Sequence, residues 1–240
     1  MSWPEEAVVV VTGAAGGIGL AVATWFAERG ARVFSLDRPG TRPGVGEAVE
    51  VDVTSEESLA AAVRTVVERA GRVDALVAAA GVAERDTGAE DMTTEVWSRT
   101  IGVNLTGVFL SCREFGRVML EQETGGRIVT IASMSGQHVV NVPQRQVAYN
   151  ASKAGVVAMT KSLALEWAGR VRVNALSPGY VDTPLLTGAS PLHPGWKERT
   201  PVARFATPAE VAAGVAWLLS DEAAFCVGTE MLMDGGYALA

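Results

Sequence analysis

Val8-Val9-Val10-Val11-Thr12-Gly13-Ala14-Ala15-Gly16-Gly17-Ile18-Gly19 begins as a run of valines, breaks at a threonine and ends in closely spaced glycines. Consecutive β-branched apolar residues favour an extended strand, and a strand without polar alternation is covered on both faces. The glycines end that strand in a tight turn, and the stretch 20–29 continues as a helix. In a strand–turn–helix unit the helix N-terminus aims its free N–H groups and dipole at a bound pyrophosphate, and glycine keeps Cβ atoms out of the way. No Lys-Ser/Thr pair follows Gly19, which disfavours a P-loop nucleotidase. The uncharged stretch 7–26 contains the GxxxG spacing of Gly13 and Gly17, but its central break argues against a membrane span. The acidic start Glu5-Glu6 argues against a signal peptide.

The alternation then repeats. Residues 7–11, 32–37, 48–53, 75–79, 127–132, 172–175 and 231–233 read as seven strands. Helical patterns separate them. One follows Val53, where 54–57 reads as a capping box, Leu59, Val63 and Val66 recur at helical spacing, and Gly71 is the stop. Others cover 96–121, 147–168 and 208–220. This order predicts an α/β, doubly wound Rossmann-type fold: a seven-stranded parallel sheet with helices on both faces. No linker or repeat divides the chain. Residues 1–240 are expected to form one domain, with a cofactor half at about 1–130 and a catalytic and substrate half at about 131–240. The segment 178–204, rich in Pro and Gly and without periodicity, is expected to be a binding lid.

Composition removes several classes of function. In 240 residues, 48% are hydrophobic and 20% charged, which excludes disorder, and the 26 Gly lack a collagen period. A net charge of −7 provides no basic field, so neither nucleic acid nor membrane is expected as a partner, and a cytoplasmic location is expected. Cys112, Cys226, His138 and His193 are isolated from one another, so no metal is expected, and a Ser-His-Asp hydrolase is disfavoured. Of the 20 basic residues only Lys153, Lys161 and Lys197 are lysines.

Four residues point to chemistry. Asp37 closes the second strand, 18 positions beyond Gly19. A carboxylate there accepts the hydroxyls of an adenosine ribose and repels a 2′-phosphate, which favours NAD over NADP. Asp52, at the end of the third expected strand, is read either as an adenine contact or as a cap for the following helix. Tyr149 and Lys153 stand four apart in a helical run, hence on one face. A free phenol ionises near pH 10, and an ammonium within a few ångströms would lower that value towards neutrality.

Taken together, the Thr12–Gly19 loop, Asn104 in Val103-Asn104-Leu105, Ser133, the Tyr149/Lys153 pair, Pro178-Gly179 and Asp234-Gly235-Gly236 resemble the compact, single-domain branch of the short-chain dehydrogenase/reductase family. The resemblance covers essentially the whole chain and implies a nicotinamide cofactor. It makes Tyr149 the general acid–base, Ser133 the holder of the reacting oxygen, Lys153 the residue that tunes the phenol and binds ribose, and Asn104 the support of a proton-relay water. It also places Gly13, Gly16, Gly17, Ile18, Gly19, Val53, Ala80, Gly81, Pro178, Gly179, Val181 and Thr183 against the dinucleotide.

The chain departs from the family in two places. Ala78-Ala79 stands where the family usually has an Asn pair, and the 137–147 loop is longer than in many members. Around that loop the chain resembles sugar and polyol dehydrogenases. Ser135, Asn141, Gln144 and Trp196 then join Ser133 and Tyr149 as candidate substrate contacts, although the polar ones could instead serve the loop's own backbone. A 3-oxoacyl thioester reductase is the alternative enzyme, and a dinucleotide-binding sensor or scaffold the non-enzymatic one. Relatives are mostly tetramers, and Val108, Phe109, Phe115, Met119, Val156, Met159 and Trp167 read as more apolar surface than one core-facing stripe requires.

Overall fold

The computed structural model describes residues 6–84, 86–140 and 143–240, with 187–190 described as backbone only. Strands β1 (Val8–Thr12), β2 (Arg32–Asp37), β3 (Glu47–Glu50), β4 (Ala75–Ala78), β5 (Gly126–Ile131), β6 (Val171–Pro178) and β7 (Glu230–Met233) form one sheet. Their order is β3-β2-β1-β4-β5-β6-β7, and every pairing is parallel. The valine run behaves as its composition demands. Val8 and Val10 enter one core and Val9 and Val11 the other, so β1 is buried on both faces.

The first core is closed by Leu59 and Val66 of α2 (Glu56–Ala70), Phe115 and Met119 of α4 (Gly107–Glu121), and Val156 and Leu163 of α5 (Val147–Glu166). The second is closed by Val22 and Phe26 of α1 (Gly17–Ala27) and by Val211 and Val215 of α7 (Pro208–Leu219). Strand order reverses between β1 and β4, which opens a crevice at their carboxyl ends.

Several boundaries differ from the sequence reading, each for a physical reason. α1 starts at Gly17, three residues before the expected position. β3 stops at Glu50, so Asp52 lies beyond the strand. Its carboxylate accepts from the Thr54 N–H at 2.9 Å and the Thr54 hydroxyl at 2.7 Å. With Thr54 so engaged, Ser55 caps α2 by accepting from the Ser58 N–H, and the expected capping box does not form. Gly71 ends α2 in the left-handed conformation, φ +73°.

β6 runs on to Pro178 because β7 pairs with Ala175–Pro178. Its buried Asn174 is satisfied across the sheet edge by the Cys226 carbonyl and the Thr229 N–H. The expected single helix over 96–121 is α3 (Thr94–Ile101), a π-helical turn over Gly102–Thr106 and α4. The supposedly irregular 178–204 segment holds a 3-10 run, Pro184–Leu192, and α6 (His193–Arg199). The apolar surplus on the long helices is mostly core: Val108, Phe115, Met119 and Val156 are buried, Met159 and Trp167 pack against them, and Phe109 is exposed.

Candidate active site

A cavity of about 1160 Å³ lies over the carboxyl ends of the strands, in the crevice between β1 and β4. The glycine loop forms its floor. A Cβ on Gly19 would stand 2.2 Å from the Gly13 carbonyl oxygen, and one on Gly13 would stand 2.8 Å from the Ala80 Cα, so both glycines are set by close backbone packing. A Cβ on Gly16 would meet nothing within 4 Å. Gly16 caps α1 without a side-chain bond, and the first turn carries no acidic residue. This leaves Gly16, Gly17, Ile18 and Gly19 facing the cavity beside an uncapped helix N-terminus, the pattern that receives a phosphate.

Asp37 lines one end of the cavity. Its carboxylate accepts from the Ala15 N–H and the Arg38 N–H, both at 2.8 Å, and so ties the glycine loop to β2. Asp52 and Val53 line the cavity too, so Asp52 both faces the crevice and braces the entry to α2. Hydrogen bonds from Thr54 hold its carboxyl below the usual range. Opposite, Thr12 accepts from the Ala79 and Ala80 N–H groups at 3.2 and 3.3 Å. This threonine links β1 to the loop after β4, where Ala78-Ala79 replaces the expected Asn pair. On the far wall, Pro178, Gly179, Val181 and Thr183 line the cavity. A Cβ on Gly17 would stand 3.6 Å from the Thr183 methyl, so the two walls meet there.

The other end of the cavity gathers Ser133, Tyr149 and Lys153. Ser133 follows β5, accepts from the Ser135 N–H at 3.1 Å, and favours ionisation of the Tyr149 phenol. Lys153 is buried and donates to the Ile131 carbonyl at 2.8 Å, with Nζ 5.7 Å from the Tyr149 ring centre. Burial pushes its ammonium down to about 8. The phenol departs from the sequence expectation: burial raises it, the Ser133 side chain works against that, and the Glu84 charge adds to it. Desolvation is the largest of these effects.

Asn104 stands one layer behind. Its amide accepts from the Val82 N–H and donates to the Val82 carbonyl, both at 2.8 Å, and donates to the Ser152 hydroxyl at 3.2 Å. It therefore clamps the loop that carries Ala80 and Gly81 onto α5. A Cβ on Gly81 would stand 3.5 Å from Asn104 Oδ1 and 3.6 Å from Lys153 Nζ.

Of the expected substrate contacts, Ser135 and Gln144 line the cavity, and Asn141 lies outside the described residues. Trp196 does not line it. It is fully buried and stacks on Tyr180, rings 4.2 Å apart at 9°, so Tyr180 forms the wall and Trp196 its backing. Tyr180 and Glu84 are lining residues that the sequence reading missed. The aromatic directly after Pro178-Gly179 was a usable signal for Tyr180, whereas nothing local distinguishes Glu84.

A family profile described as enoyl-(acyl carrier protein) reductase matches residues 13–238. D-threitol dehydrogenase of Mycolicibacterium smegmatis is 41% identical over 97% of this chain and 93% of its own length. The chain belongs to the short-chain dehydrogenase/reductase family. Two further members show how the family varies in cofactor. The NAD-dependent glycerol dehydrogenase of Listeria innocua is 38% identical over 98% of this chain and 94% of its own. The NADP-dependent mannitol dehydrogenase of Alternaria alternata is 36% identical over 97% and 92%. The solved structure of gox2181 superimposes with a TM-score of 0.93 at 42% identity, covering 99% of this chain and 97% of that one. The protein is thus an oxidoreductase of CH–OH groups, in a dinucleotide-binding family, with a Rossmann-type fold.

Proposed function

We propose that this short-chain dehydrogenase interconverts a secondary alcohol and a ketone on a polyol or sugar, with NAD as cofactor and Tyr149 as general acid–base. The observation that carries the reading is one cavity with Ser133, Tyr149 and Lys153 at one end and Asp37 at the other. The residues fit a dinucleotide: open space over Gly16, an uncapped α1, and a carboxylate at the end of β2. Gly13, Gly16, Gly17, Ile18 and Gly19 would hold the pyrophosphate. Asp37 would take the adenosine ribose, Asp52 and Val53 the adenine side, and Ala80, Gly81, Pro178, Gly179, Val181 and Thr183 the nicotinamide half. When bound, the nicotinamide accepts or returns the hydride.

The chain's own residues manage the proton. Ser133 orients the reacting oxygen, and Tyr149 takes its proton during oxidation and returns it during reduction. Lys153 holds the nicotinamide ribose, and Asn104 keeps the loop after β4 seated on α5. Ser135 and Gln144 offer hydrogen bonds to further hydroxyls, which supports a polyhydroxylated substrate alongside the substrates of the named relatives. We further infer that the chain works as one domain, in the cytoplasm and as a homotetramer, without nucleic acid or membrane.

The test is a spectrophotometric screen with NAD and NADP against polyols, simple secondary alcohols and hydroxyacyl thioesters. Turnover of polyols with NAD is expected. Activity confined to thioesters would replace the substrate reading, and a preference for NADP would overturn the role of Asp37. With the best substrate, Tyr149→Phe should lower kcat by about 10²–10⁴-fold while NADH binding by fluorescence is retained. Survival of turnover in that variant would remove Tyr149 from the chemistry.

A further inference from the structure

The N-terminus of α5 is built unusually. Its cap residue, Gln146, makes no side-chain cap bond. The N–H that such a cap normally serves, on the third helical residue, belongs to Tyr149. That N–H is instead accepted at 3.0 Å by a carboxylate oxygen of Glu84, 65 positions earlier, in the loop after β4. The second oxygen of Glu84 is buried and has no hydrogen-bond partner among the described residues. The two loops are clasped beside it: Asp86 accepts from both the backbone and the side chain of Arg145, and the Thr87 N–H donates to the Arg145 carbonyl.

A local Ser, Thr or Asp at position 146 would cap the helix more simply. A partly desolvated carboxylate brought in from a distant loop costs more than such a cap, and an unpartnered oxygen adds to that cost. The arrangement makes sense through what it touches. We propose that Glu84 is a positioning residue for Tyr149: from the loop after β4 it caps α5, fixes the backbone of the acid–base residue and places a negative charge beside its phenol.

This rests on the reading of Tyr149 as acid–base. The groups that face the phenol from the surrounding elements are Ser133 after β5, Lys153 on α5 and Glu84, with Tyr180 on the opposite wall of the cavity. Among them Glu84 opposes the phenolate.

Two variants separate charge from cap. Glu84→Gln keeps an acceptor for the Tyr149 N–H and removes the charge. Glu84→Ala removes both. The readouts are the pH profile of kcat for alcohol oxidation, using the alcohol that the unaltered protein turns over fastest, and NADH affinity. For Glu84→Gln the rising limb should move towards acid by about half a pH unit or more, because loss of the charge eases ionisation of the phenol. For Glu84→Ala, kcat should fall about tenfold with NADH affinity unchanged. A Glu84→Gln profile that superimposes on the unaltered one, or moves towards alkali, overturns the proposal. So does a Glu84→Ala variant that keeps full kcat, or one that loses NADH affinity in proportion to kcat. Should Tyr149→Phe retain turnover, the acid–base reading itself has failed, and that result is separate from either Glu84 outcome.

Discussion

Lys153 shows how one residue can be costly to the fold and necessary to the site. It is buried, it donates to the Ile131 carbonyl, and burial pushes its ammonium down to about 8. Since the folded value lies below that of the unfolded chain, the unfolded chain binds more protons between about pH 8 and 10.4. This group's penalty is therefore complete below that window and relieved as pH rises through it. Lys153→Met should raise the melting temperature at pH 7 by a few degrees, with the gain shrinking towards pH 10, while turnover is lost. A variant that melts lower than the parent at pH 7 would show that the Ile131 hydrogen bond outweighs the burial cost. For Tyr149 the consequence is on rate: with burial raising the phenol, alcohol oxidation should accelerate as pH rises.

At the scale of elements, the turn between β1 and α1 uses its glycines for different purposes. Gly19 is closed in by the Gly13 carbonyl, whereas Gly16 faces open space. Gly19→Ala should therefore lower both stability and NAD affinity, because backbone has to move. Gly16→Ala should leave the melting temperature within about 1–2 °C of the parent and still weaken NAD binding, since the new methyl enters the space kept for the phosphates. Thermal melts paired with NADH titration separate the two, and equal loss of stability in both variants would contradict the assignment. The strand–turn–helix unit was legible because each part depends on neighbours in sequence. The π turn carrying Asn104 was not. Its reason lies in Val82 and Ser152, which reach that asparagine from other parts of the chain.

At the scale of the molecule, Leu165, Phe225 and Leu239 remain almost fully exposed, and Trp97, Phe109 and Val147 partly so. These side chains, rather than most of those expected from the helix sequences, are the apolar surface available to partner copies. Sedimentation should show a tetramer, and Phe225→Asp together with Leu165→Glu should yield smaller species that keep their fold. A monomer in the parent protein would set the tetramer aside. By itself the sequence determined the fold class, the glycine turn and the placement of Tyr149 and Lys153 one turn apart on a single helix, because valine runs, glycine spacing and helical periodicity act over a few residues. Only the tertiary structure decided that β6 extends to Pro178 against β7, that Trp196 backs Tyr180 instead of touching the cavity, and that Glu84 holds Tyr149 from 65 positions away. Those outcomes depend on which surfaces meet once the sheet has assembled, and no local pattern in the chain encodes such contacts.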